Sequence, residues 1–135
     1  MCIRLRRATR AVTKLYDDAL ATSGLNITQY SLLSSVLKLA PISFGELAAA
    51  NMLERSTLGR NIRVLERKGL VEFEPGDDER ERIVRDTVAG ATLIASSRKL
   101  WDVAQGDVAK SIGAQELKSF LRTLDKLEEL AAVAE

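Results

Sequence analysis

Arginines at positions 55, 60, 63 and 67, with Ser56, Thr57 and Asn61 between them, are the residues of this chain best suited to chemistry. At about 100° per residue, Ser56, Arg60, Arg63 and Arg67 fall on one face of a helix, with Arg55 and Gly59 at its edge, while Leu58, Ile62 and Leu65 fall on the other. The chemistry of such a face is recognition. Guanidiniums fork onto phosphates or guanine edges, and a glycine lets the backbone approach closely. A merely solvated helix face carries similar charges, so the reading depends on the neighbouring elements.

Those elements have an order. Residues 43–51 form a short helical pattern with Leu47 and Ala48 facing inward, and Met52 and Leu53 fill a turn. The arginine helix, 54–68, is stopped by Gly69, a residue that accepts the left-handed conformation after a helix end. Residues 70–75 alternate with period two, 76–80 turn, and 82–87 return as a second strand. Helix, turn, helix and hairpin in this order predict a winged helix-turn-helix, whose second helix enters the DNA major groove. The candidate DNA-contacting residues are therefore Arg55, Ser56, Thr57, Arg60, Asn61, Arg63 and Arg67 on the helix, with Arg80 and Arg82 in the wing.

Composition narrows the class. At 135 residues and 46% hydrophobic content the chain is long and apolar enough for a packed core. The net charge of +1 argues nothing about nucleic acid by itself, but its distribution does. Five basic residues and no acid lie between Arg4 and Lys14, and five basic residues against Glu66 alone lie between Arg55 and Lys68. No run reaches membrane-spanning length, no signal-peptide core is present, and a single cysteine permits no intrachain disulfide, so a cytoplasmic protein without membrane contact is expected. Histidine is absent, which removes the usual zinc sites and the commonest general base. With no glycine-rich phosphate loop or cysteine pair either, the expectation is a non-enzyme with no cofactor, no catalytic residue and no metal ligand.

Long helices flank the winged part. The first spans about 3–22 and ends near Gly24; the second is capped by Asn26 or Thr28 and stops before Pro41. A long helix follows Gly90, with Gly106 a weak point inside it, and Gly113 separates it from a last helix bearing Leu117, Phe120, Leu121, Leu124, Leu127 and Leu130. These stripes exceed what a small winged domain needs to cover, which predicts a homodimer built from the first helix and the last two. The fold class expected is mainly α with a small β-hairpin wing (α+β). It is one domain over 1–135, with the winged helix-turn-helix in 28–87 and a helical dimerisation part in 1–24 and 88–135.

These pieces resemble, in order and over nearly the whole chain, the MarR family of bacterial transcriptional regulators. Gly24-Leu25-Asn26-Ile27-Thr28-Gln29-Tyr30 resembles the start of the family's second helix, and Glu46-Leu47-Ala48 its first helix-turn-helix helix. Arg55-Ser56-Thr57-Leu58-Gly59-Arg60, followed by Leu65-Glu66-Arg67-Lys68-Gly69-Leu70-Val71, resembles the recognition helix and first wing strand. Asp78, Arg80, Arg82, Thr87 and Gly90 fit the wing and the next helix at the family's spacing. The resemblance implies a homodimer on double-stranded operator DNA, usually a repressor released by a small ligand or by oxidation. The alternative class is a winged-helix protein that binds a partner and has no operator affinity. Its best support is the acidic wing tip, where Asp77, Asp78, Glu79 and Glu81 surround Arg80. Two other departures stand out. Asp86 replaces the family's apolar residue before Thr87 and needs an arginine partner to avoid loosening the wing. Glu54 stands where an aspartate cap is usual.

Cys2, with Thr9-Arg10-Ala11-Val12-Thr13-Lys14 and Tyr16, resembles helix one of the organic-hydroperoxide-sensing OhrR branch, where the cysteine is the redox sensor and a tyrosine at the place of Tyr16 bonds its thiolate. The branch's second tyrosine has no counterpart, and Cys2 also lies on the stripe of Leu5, Ala8 and Val12, so a packing role stands beside the sensing one. The family's ligand pocket implies a small aromatic or anionic effector, with Tyr16, Tyr30 and Trp101 as lining and Arg10 as an anion anchor.

Overall fold

The computed structural model describes residues 1–78 and 81–133. Among the described residues, six helices and three short strands run in the order α1 (Cys2–Leu20), α2 (Ile27–Leu39), β1 (Ile42–Ser43), α3 (Phe44–Ala50), α4 (Arg55–Arg67), β2 (Val71–Pro75), β3 (Arg82–Asp86), α5 (Val88–Ile112) and α6 (Ala114–Val133), with a 3-10 turn at Ala21–Ser23. Two compact units are resolved, Met1–Trp101 and Asp102–Glu135.

Local chemistry sets the boundaries. Asn26 caps α2 reciprocally: its side chain accepts from the Gln29 amide at 2.8 Å, while Gln29 Oε1 accepts from the Asn26 amide at 3.2 Å. Helix α2 ends at Leu39, and its C-cap Ala40 takes the extended conformation that a following proline imposes. The Ser43 hydroxyl accepts from the Glu46 amide at 3.2 Å and starts α3. Asn51 closes that helix by donating to the Leu47 carbonyl at 2.9 Å and to Ser35 Oγ at 3.0 Å. The turn to α4 then passes through Met52 at φ 51°, a conformation rare outside glycine and asparagine. At the far end of α4, Gly69 has φ 72°, and paired bonds from Gly69 N to Glu66 O and from Leu70 N to Leu65 O close a Schellman motif.

The hairpin expected from alternation is present, and it carries a third strand that alternation did not reveal. The antiparallel order is β1-β3-β2, with Phe73 opposite Val84, Pro75 opposite Arg82, and Ile42 also opposite Val84. Val71 and Val84 on the inner face join Leu20, Leu33, Val36, Leu47, Leu58, Ile62 and Leu65 in one core. Burying each such side chain contributes about 1.5–3 kcal/mol, and this core holds α4 by one face against α2, α3 and the sheet.

Helix α5 begins earlier than expected, at Val88. Thr87 caps it by accepting from the Gly90 amide at 3.0 Å. Gly90 therefore lies inside the helix. A Cβ there would collide with the Leu70 carbonyl oxygen and sit 3.3 Å from a Leu33 methyl, so the glycine allows the helix to cross the core at close range. Gly106 does not interrupt α5; the helix runs through it to Ile112.

Candidate nucleic-acid interface

Helix α4 is divided as its periodicity requires. Leu58, Ile62 and Leu65 are at most 1% exposed, whereas Arg55, Ser56, Arg60, Arg63 and Arg67 are on the surface. Arg67 Nε reaches back to the Arg63 carbonyl at 3.4 Å, so this side chain lies along the helix. Thr57 and Asn61 are half-buried, and the Asn61 amide donates to the Thr57 carbonyl at 3.1 Å, which spends one of its donors within the helix. Glu54 is the N-cap residue but makes no side-chain cap bond. Among the described residues no N-cap side chain therefore covers the first-turn amides of α4, an end of a helix that attracts anions.

In the wing, the strand pairing separates charges by face. Arg82 lies on the inner face, diagonal to Phe73, with its guanidinium 5.1 Å from the ring centroid. Arg55, at the start of α4, covers the Phe44 ring at 5.5 Å. The two stacks flank a cleft of about 170 Å³ lined also by Gly59, Ile62 and Arg63. Among the described residues no carboxylate pairs with Arg55, Arg63 or Arg82. On the outer face Arg85 Nε lies 2.7 Å from Glu74 Oε2, and this bond holds the Glu74 carboxyl below the usual carboxylate range. Asp86 is exposed and adds only a smaller push to the charge of Arg85, whose ion-pair partner is Glu74. Arg80, a wing residue expected from sequence, lies outside the described residues.

The aromatic residues Tyr16, Tyr30 and Trp101 do come together. Trp101 stacks on Tyr30 with centroids 6.4 Å apart and rings 12° from parallel, and lies 6.1 Å from the ring of Tyr16. Burial pushes the Tyr16 phenol upward. Tyr30 and Trp101 line a cavity of about 470 Å³ between α2 and α5, whose polar wall is Ser31, Ser34, Ser35, Lys38 and Arg98. Tyr16 and Arg10 are not in that lining; Arg10 is exposed on α1, and the cations of the cavity are Lys38 and Arg98. Sequence reasoning missed this pair, as it missed Phe44 and Phe73. Helical spacing was the available signal: Lys38 lies two turns after Tyr30 on α2, and Arg98 one turn before Trp101 on α5.

Cys2 is exposed, and its stripe mates Ala8 and Val12 are exposed as well. Cys2 and Tyr16 share helix α1, and their spacing puts them about 21 Å apart along its axis, beyond hydrogen-bond reach within one chain. Among the described residues no helix is long and apolar enough to cross a membrane.

Comparison with known proteins agrees with this architecture. The family model described as MarR family matches residues 23–81. The chain is 33% identical to the Mycobacterium tuberculosis transcriptional regulator MosR, solved in complex with DNA, with a TM-score of 0.90 and coverage of 100% of this chain and 98% of that one. A structure of CouR from Rhodococcus jostii RHA1 bound to p-coumaroyl-CoA shares the fold at 24% identity and a TM-score of 0.79, covering 91% and 87% of the two chains. The uncharacterized HTH-type transcriptional regulator YwoH of Bacillus subtilis (strain 168) is 28% identical over 81 residues, a match spanning 60% of this chain and 59% of that protein's length. With a winged helix-turn-helix, an arginine-faced second helix and these relatives, the chain belongs to the MarR family of DNA-binding transcriptional regulators.

Proposed function

We propose that this chain is a homodimeric repressor that holds double-stranded operator DNA with α4 in the major groove and the wing beside it, and that a small aromatic or anionic effector releases it. The division of α4 carries the reading: Ser56, Arg60 and Arg63 are exposed on one side while Leu58, Ile62 and Leu65 anchor the other in the core. These polar residues read or grip DNA without contributing to the core, and Arg80 and Arg82 supply phosphate contacts from the wing. The DNA-bound relative MosR supports the partner. Exposed Ile3 and Val12 on α1, and Phe120, Leu121 and Leu130 on α6, support the dimer. The cavity with Trp101, Lys38 and Arg98 supports the effector class, an aromatic ring with an anionic group.

The test is a salt-dependent titration of duplexes that the wild type selects from a random pool, alongside an unselected duplex. Arg60→Ala is expected to lose about 1–3 kcal/mol on selected duplexes, less on the unselected one, and to keep its thermal stability. If the wild type selects no duplex and Arg60→Ala behaves identically, the protein is instead a winged-helix module for another partner.

A further inference from the structure

The cleft between α4 and the sheet holds a second feature, which rests on the reading of this protein as a DNA binder. Arg55, Arg63 and Arg82 come from two elements distant in sequence, yet all line one cleft of about 170 Å³. None has a carboxylate partner among the described residues. Two of the three are held by aromatic rings, Arg55 by Phe44 and Arg82 by Phe73. A ring under a guanidinium engages its flat face and leaves the N–H edge free to donate. Ordering a long exposed arginine costs side-chain entropy when it binds an anion, and a stack formed in advance reduces that cost. Both phenylalanines are half-buried, so their rings are fixed by the same packing that fixes α3 and β2.

We propose that Phe44 and Phe73 are positioning residues for a phosphate clamp. They hold Arg55 and Arg82 on either side of the cleft so that, with Arg63, the three guanidiniums grip one backbone phosphate where the DNA passes between recognition helix and wing. The ligand is a phosphodiester, recognised by charge and fork geometry and without regard to sequence. Gly59 forms part of the cleft floor.

The experiment compares wild type, Phe73→Leu, Phe73→Tyr and Arg82→Lys in salt titrations of one random duplex and one duplex selected by the wild type. Phe73→Leu keeps every charge and an apolar residue; Phe73→Tyr keeps the ring; Arg82→Lys keeps the charge but loses the planar fork. Phe73→Leu and Arg82→Lys are each expected to bind both duplexes about two- to fivefold more weakly, with a shallower salt dependence, and Phe73→Tyr to bind like wild type. The double variant Phe73→Leu/Arg82→Lys is expected to lose no more than either single one, because both break the same contact. A structural role alone would lower thermal stability and leave the salt slope unchanged. Unchanged affinity and slope in Phe73→Leu, with the wild type still binding DNA, overturn the clamp and leave the regulator reading intact. Failure of the wild type to bind any duplex overturns both.

Discussion

The Thr87 hydroxyl donates a 2.8 Å hydrogen bond to the Gly69 carbonyl. The same oxygen accepts from the Gly90 amide at 3.0 Å, so one side chain ties the end of α4 to the start of α5. Thr87→Ala removes both bonds and is expected to cost about 1 kcal/mol, as loss of a helix cap does. Thr87→Ser keeps the oxygen and is expected to retain most of that stability. Chemical denaturation of the two variants checks the difference.

Two helical glycines are expected to respond in opposite directions to alanine. At Gly90 a Cβ meets the Leu70 carbonyl oxygen, which is backbone and cannot swing away, so Gly90→Ala should destabilise by about 1–3 kcal/mol. At Gly106 nothing lies within 4 Å of the same position, and Gly106→Ala should stabilise by up to about 1 kcal/mol through helix propensity. Thermal unfolding of both variants in one buffer decides it.

If α6 forms part of a dimer interface, a charge at Leu121, which is 48% exposed in the single chain, falls inside it. Leu121→Glu should lower the mass seen by light scattering at micromolar concentration toward that of one chain, and lower thermal stability with it. A wild-type protein that is a well-folded monomer at that concentration would remove the dimer from the reading.

Trp101 is the only tryptophan of the chain and lines the cavity between α2 and α5, so its fluorescence reports directly on that site. Titration with a panel of aromatic carboxylates should produce saturable quenching for at least one of them. Arg98→Ala should weaken that binding by removing a cation from the wall, while Arg10→Ala should leave it unchanged. Quenching that never saturates, or that survives Arg98→Ala undiminished, speaks against an anion site there.

The Glu74 carboxyl is expected to titrate below the ordinary carboxylate range because Arg85 donates to its charged form. A depressed folded value means a contribution to stability that is complete above the ordinary carboxylate range and is lost as pH falls through the depressed value. Both side chains are more than two-fifths exposed, so solvent screening keeps the effect small. Carbon-detected NMR titration of Glu74 should show its midpoint return upward in Arg85→Gln.

What the sequence made legible follows from the range of the interactions involved. The divided face of α4, its stop at Gly69 and the hairpin rest on periodicity and on one glycine, all within a few residues, and the structure places them accordingly. Strand β1 is two residues long and is a strand only because Ile42 and Ser43 pair with Val84 and Ile83, far along the chain. The same applies to the Arg82–Phe73 stack, which exists because the register sets Phe73 opposite Val84; no local pattern encodes that choice. The cavity cations show the limit most clearly. Arg10 is exposed on α1 outside the cavity lining, whereas Lys38 and Arg98 face one space only once α2 and α5 are packed.

The sheet's two faces give the wing an electrical polarity. Outside, Glu74, Glu81 and Glu46 border a groove in which Arg85 is the one cation among the lining residues; inside, Arg82 joins Arg55 and Arg63. A polyanion drifting toward the protein is therefore turned away from one side of the wing and drawn to the other. In a protein of net charge +1, this separation of charge across the wing favours approach of a nucleic acid from the inner face.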